Sequence, residues 1–129
     1  MRFDLKQSLL TKHPKILGDT SLNIGDGWYT IVDQLCKHIQ EYIDWTNSSG
    51  VWATKNNRAK RNVEQVTAEQ IKEKFGGLRF YYSGGDDKID GMVTITEAMS
   101  IYICEQCGNA GRPTGTYWIK TLCNKCKEE

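Results

Sequence analysis

Four cysteines near the C-terminal end of the chain constrain its fold more than any other feature. They form two C-x-x-C pairs separated by 15 residues, namely Cys104, Cys107, Cys123 and Cys126. Two cysteines in one tight turn can direct both sulfurs to the same ion, and this spacing is typical of a tetrahedral zinc site. The glycine after the first pair, Gly108, can adopt the backbone conformation that such a turn requires. We therefore predict one zinc ion per chain, bound by all four thiolates.

Other uses of these cysteines stay open from the sequence. Disulfide bonds would need an oxidising compartment, but the chain has an odd number of cysteines, five, and its first residues are charged, unlike a secretory signal. Iron also binds four thiolates, and the spacing does not distinguish it from zinc. The fifth cysteine, Cys36, lies on a helical pattern and is predicted to be a small, half-buried apolar residue. These features favour a reducing, cytoplasmic location.

Length and composition predict one domain that carries a small metal-bound element. A chain of 129 residues, of which 39% are hydrophobic, can bury one core. We predict an α+β core over residues 1–103 and a zinc-finger element over residues 104–129, packed on the core or appended to it. No apolar run approaches the roughly 20 residues that cross a membrane. The formal net charge of +1 creates no overall attraction to nucleic acid or lipid.

Hydrophobic periodicity predicts two helices in the first half of the chain. A short amphipathic helix covers about residues 3–10 and ends before Pro14, because the residue that precedes a proline avoids the helical region. Residues 15–25 are predicted to be a loop. A longer helix follows over about residues 27–45, with one apolar face and with Asp26 as its N-cap.

The second half predicts a helix, a strand and a further helix. Thr67 and Gln70 match a capping box, so a helix is predicted from there to Gly76, where a left-handed residue would end it. Residues 78–82 alternate between apolar and polar side chains, as in a strand. For residues 91–103 two interpretations stay open. One is a returning strand followed by a helix, and the other, which we favour, is a helix that ends just before the first cysteine pair.

The segment between the cysteine pairs predicts tight turns and a hairpin, with residues 117–119 as one of its strands. The cysteine turn, the hairpin and the second cysteine pair together resemble a treble-clef or GATA-type zinc finger. GATA fingers bind DNA through a helix and a basic tail, whereas three residues, two of them acidic, follow Cys126 here. Four thiolates on one zinc ion add a charge of about −2. We therefore expect a structural element, with a recognition surface as the alternative.

Two groups of residues are candidate binding surfaces. The first is a basic run with asparagines between the charges: Lys55, Arg58, Lys60 and Arg61. Such a run can follow a nucleic-acid backbone, and a solvated loop is the alternative interpretation. The second lies on the predicted strand and at the end of the helix before it: Lys74, Arg79 and Tyr81.

Catalysis has little support in the sequence. His13 and His38 are the two histidines of the chain, and neither has a nucleophile or a metal ligand at a characteristic spacing. A four-cysteine site also has no open coordination position for a substrate water. We therefore expect a binding protein and not an enzyme.

Several motifs together resemble those of small, mostly uncharacterised proteins encoded by bacteriophages and prophages. They are Gly-Trp-Tyr at residues 27–29, Lys-Glu-Lys-Phe-Gly-Gly-Leu-Arg-Phe-Tyr at residues 72–81, Cys-Glu-x-Cys-Gly at residues 104–108, and Trp-x-x-Thr-Leu-Cys at residues 118–123. The resemblance covers about residues 25–126. It implies an accessory role in the host cytoplasm, such as modulation of host machinery or of host defence, and it carries no catalytic residue.

Three functions follow as expectations. The leading one is a zinc-stabilised binding module that contacts and modulates a host macromolecule, with a protein as the expected partner. The first alternative is a nucleic-acid-binding regulatory protein that uses residues 55–61. The second is an anti-defence protein that captures a nucleotide-like small ligand with Lys74, Arg79 and neighbouring aromatic residues. No membrane partner is expected.

Overall fold

Helices and short strands alternate along the described part of the chain, which comprises residues 1–48 and 62–128 of a computed structural model. The helices are α1 (Phe3–Lys12), α2 (Pro14–Leu17), α3 (Tyr29–Ser48), α4 (Asp87–Ser100) and α5 (Asn124–Lys127). The strands are β1 (Leu22–Asn23), β2 (Thr67–Lys74), β3 (Gly77–Ser83), β4 (Arg112–Thr114) and β5 (Lys120–Leu122). A single 3-10 turn, Asp26–Trp28, leads into α3. The architecture is the α+β class that the sequence predicts.

The larger sheet has the strand order β1-β2-β3 and carries the core on one face. β1 runs parallel to β2, and β2 runs antiparallel to β3. Ile71, Leu78 and Phe80 are buried on the inner face, because apolar side chains from α1 to α4 pack against them in one continuous core. The second sheet contains β4 and β5 alone and belongs to the cysteine-rich part of the chain.

The helix predicted from Thr67 to Gly76 is wrong, because this segment forms β2. A β-bulge shifts the register between Ala68 and Gln70, so that Ala68 and Ile71 are both buried although they are three residues apart. Gly76 does have a positive φ, 83°, but it lies in the two-residue turn between β2 and β3 and not at a helix end.

The two helices predicted in the first half are confirmed as α1 and α3. The predicted loop between them instead contains α2 and β1. Asp26 is not the N-cap of α3, because it begins the 3-10 turn and lies three residues before the helix; its carboxylate accepts a hydrogen bond from the Arg2 backbone N–H at 2.7 Å. This contact ties the first residues of the chain to the turn before α3.

The remaining elements decide between the alternatives left open for the second half. The strand predicted over residues 78–82 lies within β3, and α4 is one helix without a returning strand before it. Asp86 caps α4 by accepting a hydrogen bond from the Ile89 N–H at 3.1 Å. The strand predicted at residues 117–119 is wrong, because they form the loop between β4 and β5. Within the described ranges, every helix is too short or too polar to cross a membrane.

Candidate metal centre

The sulfur atoms of Cys104, Cys107, Cys123 and Cys126 all lie within 4.8 Å of one another. The sulfurs of Cys107 and Cys123 are 3.6 Å apart, which is far longer than a disulfide bond. A tetrahedral ion with metal–sulfur bonds of about 2.3 Å places its ligand sulfurs about 3.8 Å apart. The four cysteines therefore form the common cluster that their spacing predicts, and its dimensions fit one tetrahedral metal ion.

The first cysteine pair lies in a turn closed by backbone hydrogen bonds. The Gly108 N–H donates to the Cys104 carbonyl at 2.9 Å, and the Cys104 N–H donates to the Asn109 carbonyl at 2.7 Å. Gly108 has a φ of 87°, which an L-residue rarely adopts. The sequence prediction for this glycine is therefore confirmed, and the turn brings the sulfurs of Cys104 and Cys107 to one side.

The second pair lies where β5 passes into α5. The Cys126 N–H donates to the Cys123 sulfur at 3.4 Å, so Cys123 caps the short helix that contains Cys126. The hairpin of β4 and β5 connects the two cysteine pairs and brings them together. Cys104 and Cys126 are buried, whereas Cys107 is exposed. One side of the cluster thus faces the protein and the other faces solvent.

Backbone amides favour the thiolate form at two of the four sulfurs. Burial acts to raise the pKa of Cys104, but the backbone N–H groups of Cys123, Cys107 and Gln106 outweigh it and lower that pKa to about 6. The Cys126 N–H likewise lowers the pKa of Cys123.

The Asn109 N–H acts to lower the pKa of Cys107, but burial and the sulfurs of Cys104 and Cys123 outweigh it and raise that pKa. Burial, together with the neighbouring sulfurs, also raises the pKa of Cys126. Because the thiolate is the form of cysteine that binds metal, the amides prepare Cys104 and Cys123 for a cation, whereas Cys107 and Cys126 must lose their protons when the ion binds.

The first cysteine pair is fixed to the turn before α3. The Gly27 N–H donates to the Glu105 carbonyl at 2.7 Å, and the Gly25 N–H donates to the Glu105 carboxylate at 2.9 Å. The buried Trp28 donates from its indole Nε1 to the Ile103 carbonyl at 2.9 Å. These contacts hold the cluster against the core. The division into units at residues 103 and 104 stays a prediction.

A second set of contacts joins β5 to the β2–β3 turn. The Thr121 hydroxyl donates to the Gly76 carbonyl at 2.5 Å. The Lys120 ammonium lies 3.6 Å from the Glu73 carboxylate and 4.0 Å from that of Glu105. Glu105 is buried, and its Oε1 has no hydrogen-bond partner. The cysteine-rich element therefore contacts the rest of the chain at two places: at the turn before α3 through hydrogen bonds, and at the β2–β3 hairpin through one hydrogen bond and the Lys120–Glu73 ion pair.

The structure brings Lys74, Arg79 and Tyr81 to the outward face of the β2–β3 hairpin. Sequence reasoning missed Lys72, which lies directly opposite Arg79 and places its ammonium 5.8 Å from the centre of the Tyr81 ring. The incorrect helix prediction concealed it, because cross-strand neighbours become visible only when the register is known. The other predicted basic residues lie outside the described residues, and their role stays a prediction: Lys55, Arg58, Lys60 and Arg61.

The two histidines have different surroundings. His13 lies 2.7 Å from the Asp33 carboxylate, which is also 3.6 Å from the Lys12 ammonium. This contact links α1 to α3, and sequence spacing could not reveal it because the two residues are 20 positions apart. His38 lies on the solvent-exposed side of α3. Neither histidine belongs to the metal-binding cluster, which consists of cysteines alone.

No family model, curated protein or solved structure matches this chain. The resemblance to phage-encoded proteins and to treble-clef fingers therefore stays a prediction.

Proposed function

We propose that the protein is a zinc-stabilised binding module that acts by contacting another macromolecule. The observation that carries this proposal is the set of four cysteine sulfurs within 4.8 Å of one another. Four thiolates complete the tetrahedral shell that zinc prefers, so an ion bound there has no open position for a substrate or a reactive water. An ion in such a site stabilises structure, and the chain's function then lies in its surfaces.

The need for a structural ion follows from the local structure. β4 and β5 are three residues long, and α5 has four residues. Tyr117 and Trp118, the large aromatic residues of the connecting loop, are exposed. Little apolar burial holds this element together, whereas metal binding to four thiolates can supply its folding free energy directly.

A protein partner is supported by an apolar groove between α3 and α4. The groove has a volume of about 370 Å³. Ile95 and Met99 of α4 line it and are 58% and 45% exposed, which is unusual for side chains of this kind on a helix that also faces the core. Methionine adapts its shape to different apolar partners. The proposal that this partner is a host-cell protein rests on the resemblance to phage-encoded proteins alone.

The structural metal is tested by native mass spectrometry of the full chain. We expect one zinc ion per chain, lost in Cys107→Ser together with the ordered C-terminal element. Cys107 suits this test because it is exposed, so that serine leaves no buried cavity. Cys36→Ala is the matched control and should keep the ion. A metal-free chain whose amide-exchange protection is the same in both variants would contradict the proposal, and bound iron would correct the identity of the ion.

The binding role is tested with metal-loaded protein. Ile95→Glu places a charge in the α3–α4 groove, and Tyr117→Glu places one on the exposed loop between β4 and β5. We expect a stoichiometric protein partner from host lysate to be lost in the first variant and kept in the second. Equal loss or equal retention would exclude the groove as the contact surface, and substrate turnover by the metal-loaded chain would contradict a pure binding role.

A further inference from the structure

We infer that the outward face of the β2–β3 hairpin, together with the turn at its tip, is a binding site for single-stranded nucleic acid. Three basic and two aromatic residues form this hairpin face: Lys72, Lys74, Phe75, Arg79 and Tyr81. The inference rests on the proposed function for its metal-stabilised fold and adds a ligand class to it.

The strand register places the basic residues side by side. Lys72 pairs with Arg79 across the two strands, and Lys74 pairs with Gly77. Paired residues direct their side chains to the same face of a sheet. Leu78, which lies between Gly77 and Arg79 on β3, points to the opposite face and into the core. Successive rows on one face lie about 7 Å apart along the strand. The three cations therefore cover two adjacent rows of the outward face.

These cations have no acidic partners within the ranges that the structure describes. No carboxylate oxygen there lies within 4.0 Å of Lys72, Lys74 or Arg79, whereas Lys12 and Lys120 each contact a carboxylate. Like charges directly opposite one another destabilise a strand pair. An anion bound between Lys72 and Arg79 would remove this repulsion, so the charge pattern of the hairpin face favours an anionic ligand.

Phe75 gives an independent reason to expect a ligand with flat, aromatic groups. It has a φ of 54° in a two-residue turn, where asparagine, aspartate or glycine is preferred. An L-residue is sterically strained in this region, and Phe75 gains little from burial because it is 71% exposed. Its ring lies 5.7 Å from the Lys74 ammonium. An exposed aromatic ring beside a cation can stack on a base while the cation binds the adjoining phosphate.

Tyr81 provides a second ring and sets the size of the ligand. Its side chain is 42% exposed, and it pairs with Gln70, which is four residues before Lys74 on β2. Four residues of a strand span about 14 Å, so one base cannot contact both Tyr81 and the ring at the tip. A chain of several nucleotides can contact both. Single strands expose their base faces for such stacking, whereas duplexes do not.

The test measures fluorescence anisotropy of a labelled 12-nucleotide oligothymidylate with metal-loaded, full-length protein. We expect it to bind more tightly than a duplex of the same length or an oligoglutamate peptide. Three phosphate contacts predict that the logarithm of the binding constant falls with the logarithm of salt concentration with a slope of about −2. Lys72→Gln or Arg79→Gln should each reduce the magnitude of this slope by about 0.7.

The variant Phe75→Asn distinguishes a loss of base stacking from a loss of protein stability. Asparagine tolerates the positive φ, so the variant should be as stable as the wild type or more stable. We nevertheless expect its binding to weaken at least about fivefold, since one stacked base contributes about 1–3 kcal/mol. Phe3→Asn is the matched control, because Phe3 is also exposed but lies on α1, which packs on the core side of the sheet, so binding should be unchanged.

Four results would overturn the inference. The first three are equal binding by Phe75→Asn and wild type, tighter binding of the acidic peptide, and binding that is lost only when the basic residues at 55–61 are neutralised. Absence of any binding by a folded protein with one zinc ion per chain would also overturn it but would leave the proposed function standing. Loss of the ion from the wild-type chain would instead count against the proposed function.

Discussion

The backbone of Gly27 lies against the backbone of Cys104, so that a β-carbon on Gly27 would be only 2.0 Å from the Cys104 carbonyl oxygen. No side chain fits there without moving one of the two segments. Gly27→Ala is therefore expected to separate the first cysteine pair from the turn before α3. We expect a loss of about 3 kcal/mol in the free energy of unfolding, measured by chemical denaturation of the metal-loaded protein.

Gly91→Ala is the matched control for this substitution. Gly91 lies within α4, and a β-carbon there would meet no atom within 4 Å. Alanine favours a helix by about 1 kcal/mol over glycine, so this variant should be more stable than the wild type. Similar stabilities for the Gly27 and Gly91 variants would show that the backbones at Cys104 are not in close contact.

Glu105 is expected to make stability depend on pH. Burial of its carboxyl raises its pKa above the ordinary value of 4.5, and a negatively charged four-thiolate zinc site beside it would act in the same direction. The unfolded chain therefore loses this proton at a lower pH than the folded chain does. The contribution of Glu105 to stability is complete below about pH 4.5 and is lost as the pH rises through the folded pKa.

Glu105→Gln removes the charge and keeps an oxygen for the Gly25 N–H. We expect the variant to be more stable than the wild type at pH 7, with a difference that shrinks as the pH falls towards 4.5. Denaturation curves check this over the pH range in which both proteins keep one metal ion. A difference that is constant with pH would mean that the folded and unfolded pKa values of Glu105 are the same.

The cysteine cluster could be predicted from the sequence because two cysteines at C-x-x-C spacing reach one ion from a single turn, and two such pairs 15 residues apart are typical of one zinc site. The strand β2 could not be predicted from the sequence, for a physical reason. Its bulge puts Ala68 and Ile71 on the same face at a helix-like spacing of three residues. The residues around them, Glu69, Gln70 and Lys72, also have high helix propensities. Pairing with β1 and β3 outweighs that local preference, and sequence patterns do not contain this information.

The same limit applies to the hairpin face. Lys74, Arg79 and Tyr81 could be grouped from the sequence because they are close along the chain. Lys72 could be assigned to the same face only from the cross-strand register, and the role of Phe75 became apparent only from its φ and its exposure. Features that depend on contacts between distant segments, such as His13 with Asp33, are inaccessible to periodicity.

Asp86 is expected to stabilise the start of α4. Its carboxylate accepts hydrogen bonds from the Ile89 N–H at 3.1 Å and from the Tyr42 hydroxyl at 2.5 Å. Asp86→Ala should therefore lower the free energy of unfolding by about 1–2 kcal/mol. Asp87→Ala is the control, because Asp87 lies in the first turn and is exposed, so it should cost about 0.5 kcal/mol or less. Thermal unfolding of both variants measures this difference. Equal losses of unfolding free energy in the two variants would argue against side-chain capping by Asp86.

Cys36 is expected to be the slowest-reacting thiol of the chain. It is fully buried in the core, and burial together with the nearby Asp33 raises its pKa to about 12. At pH 8 its thiolate fraction is then about a thousandfold lower than that of a thiol with the ordinary pKa of 9.0. Chelation of the metal should unfold the cysteine-rich element and expose its four cysteines, so a thiol reagent added then should modify these four quickly. The fifth should react only in denaturant.

Cys36→Ala distinguishes this thiol from the metal ligands. The variant should lose the slow, denaturant-dependent reaction and keep all four fast ones, counted by mass spectrometry of the alkylated chain. A fast phase reduced from four to three would place Cys36 among the accessible thiols, and it would contradict the burial that raises its pKa. The opposite pattern is expected for Cys107→Ser, which removes an exposed thiol of the cluster. In this variant three cysteines should react quickly, and the slow reaction of Cys36 should be unchanged.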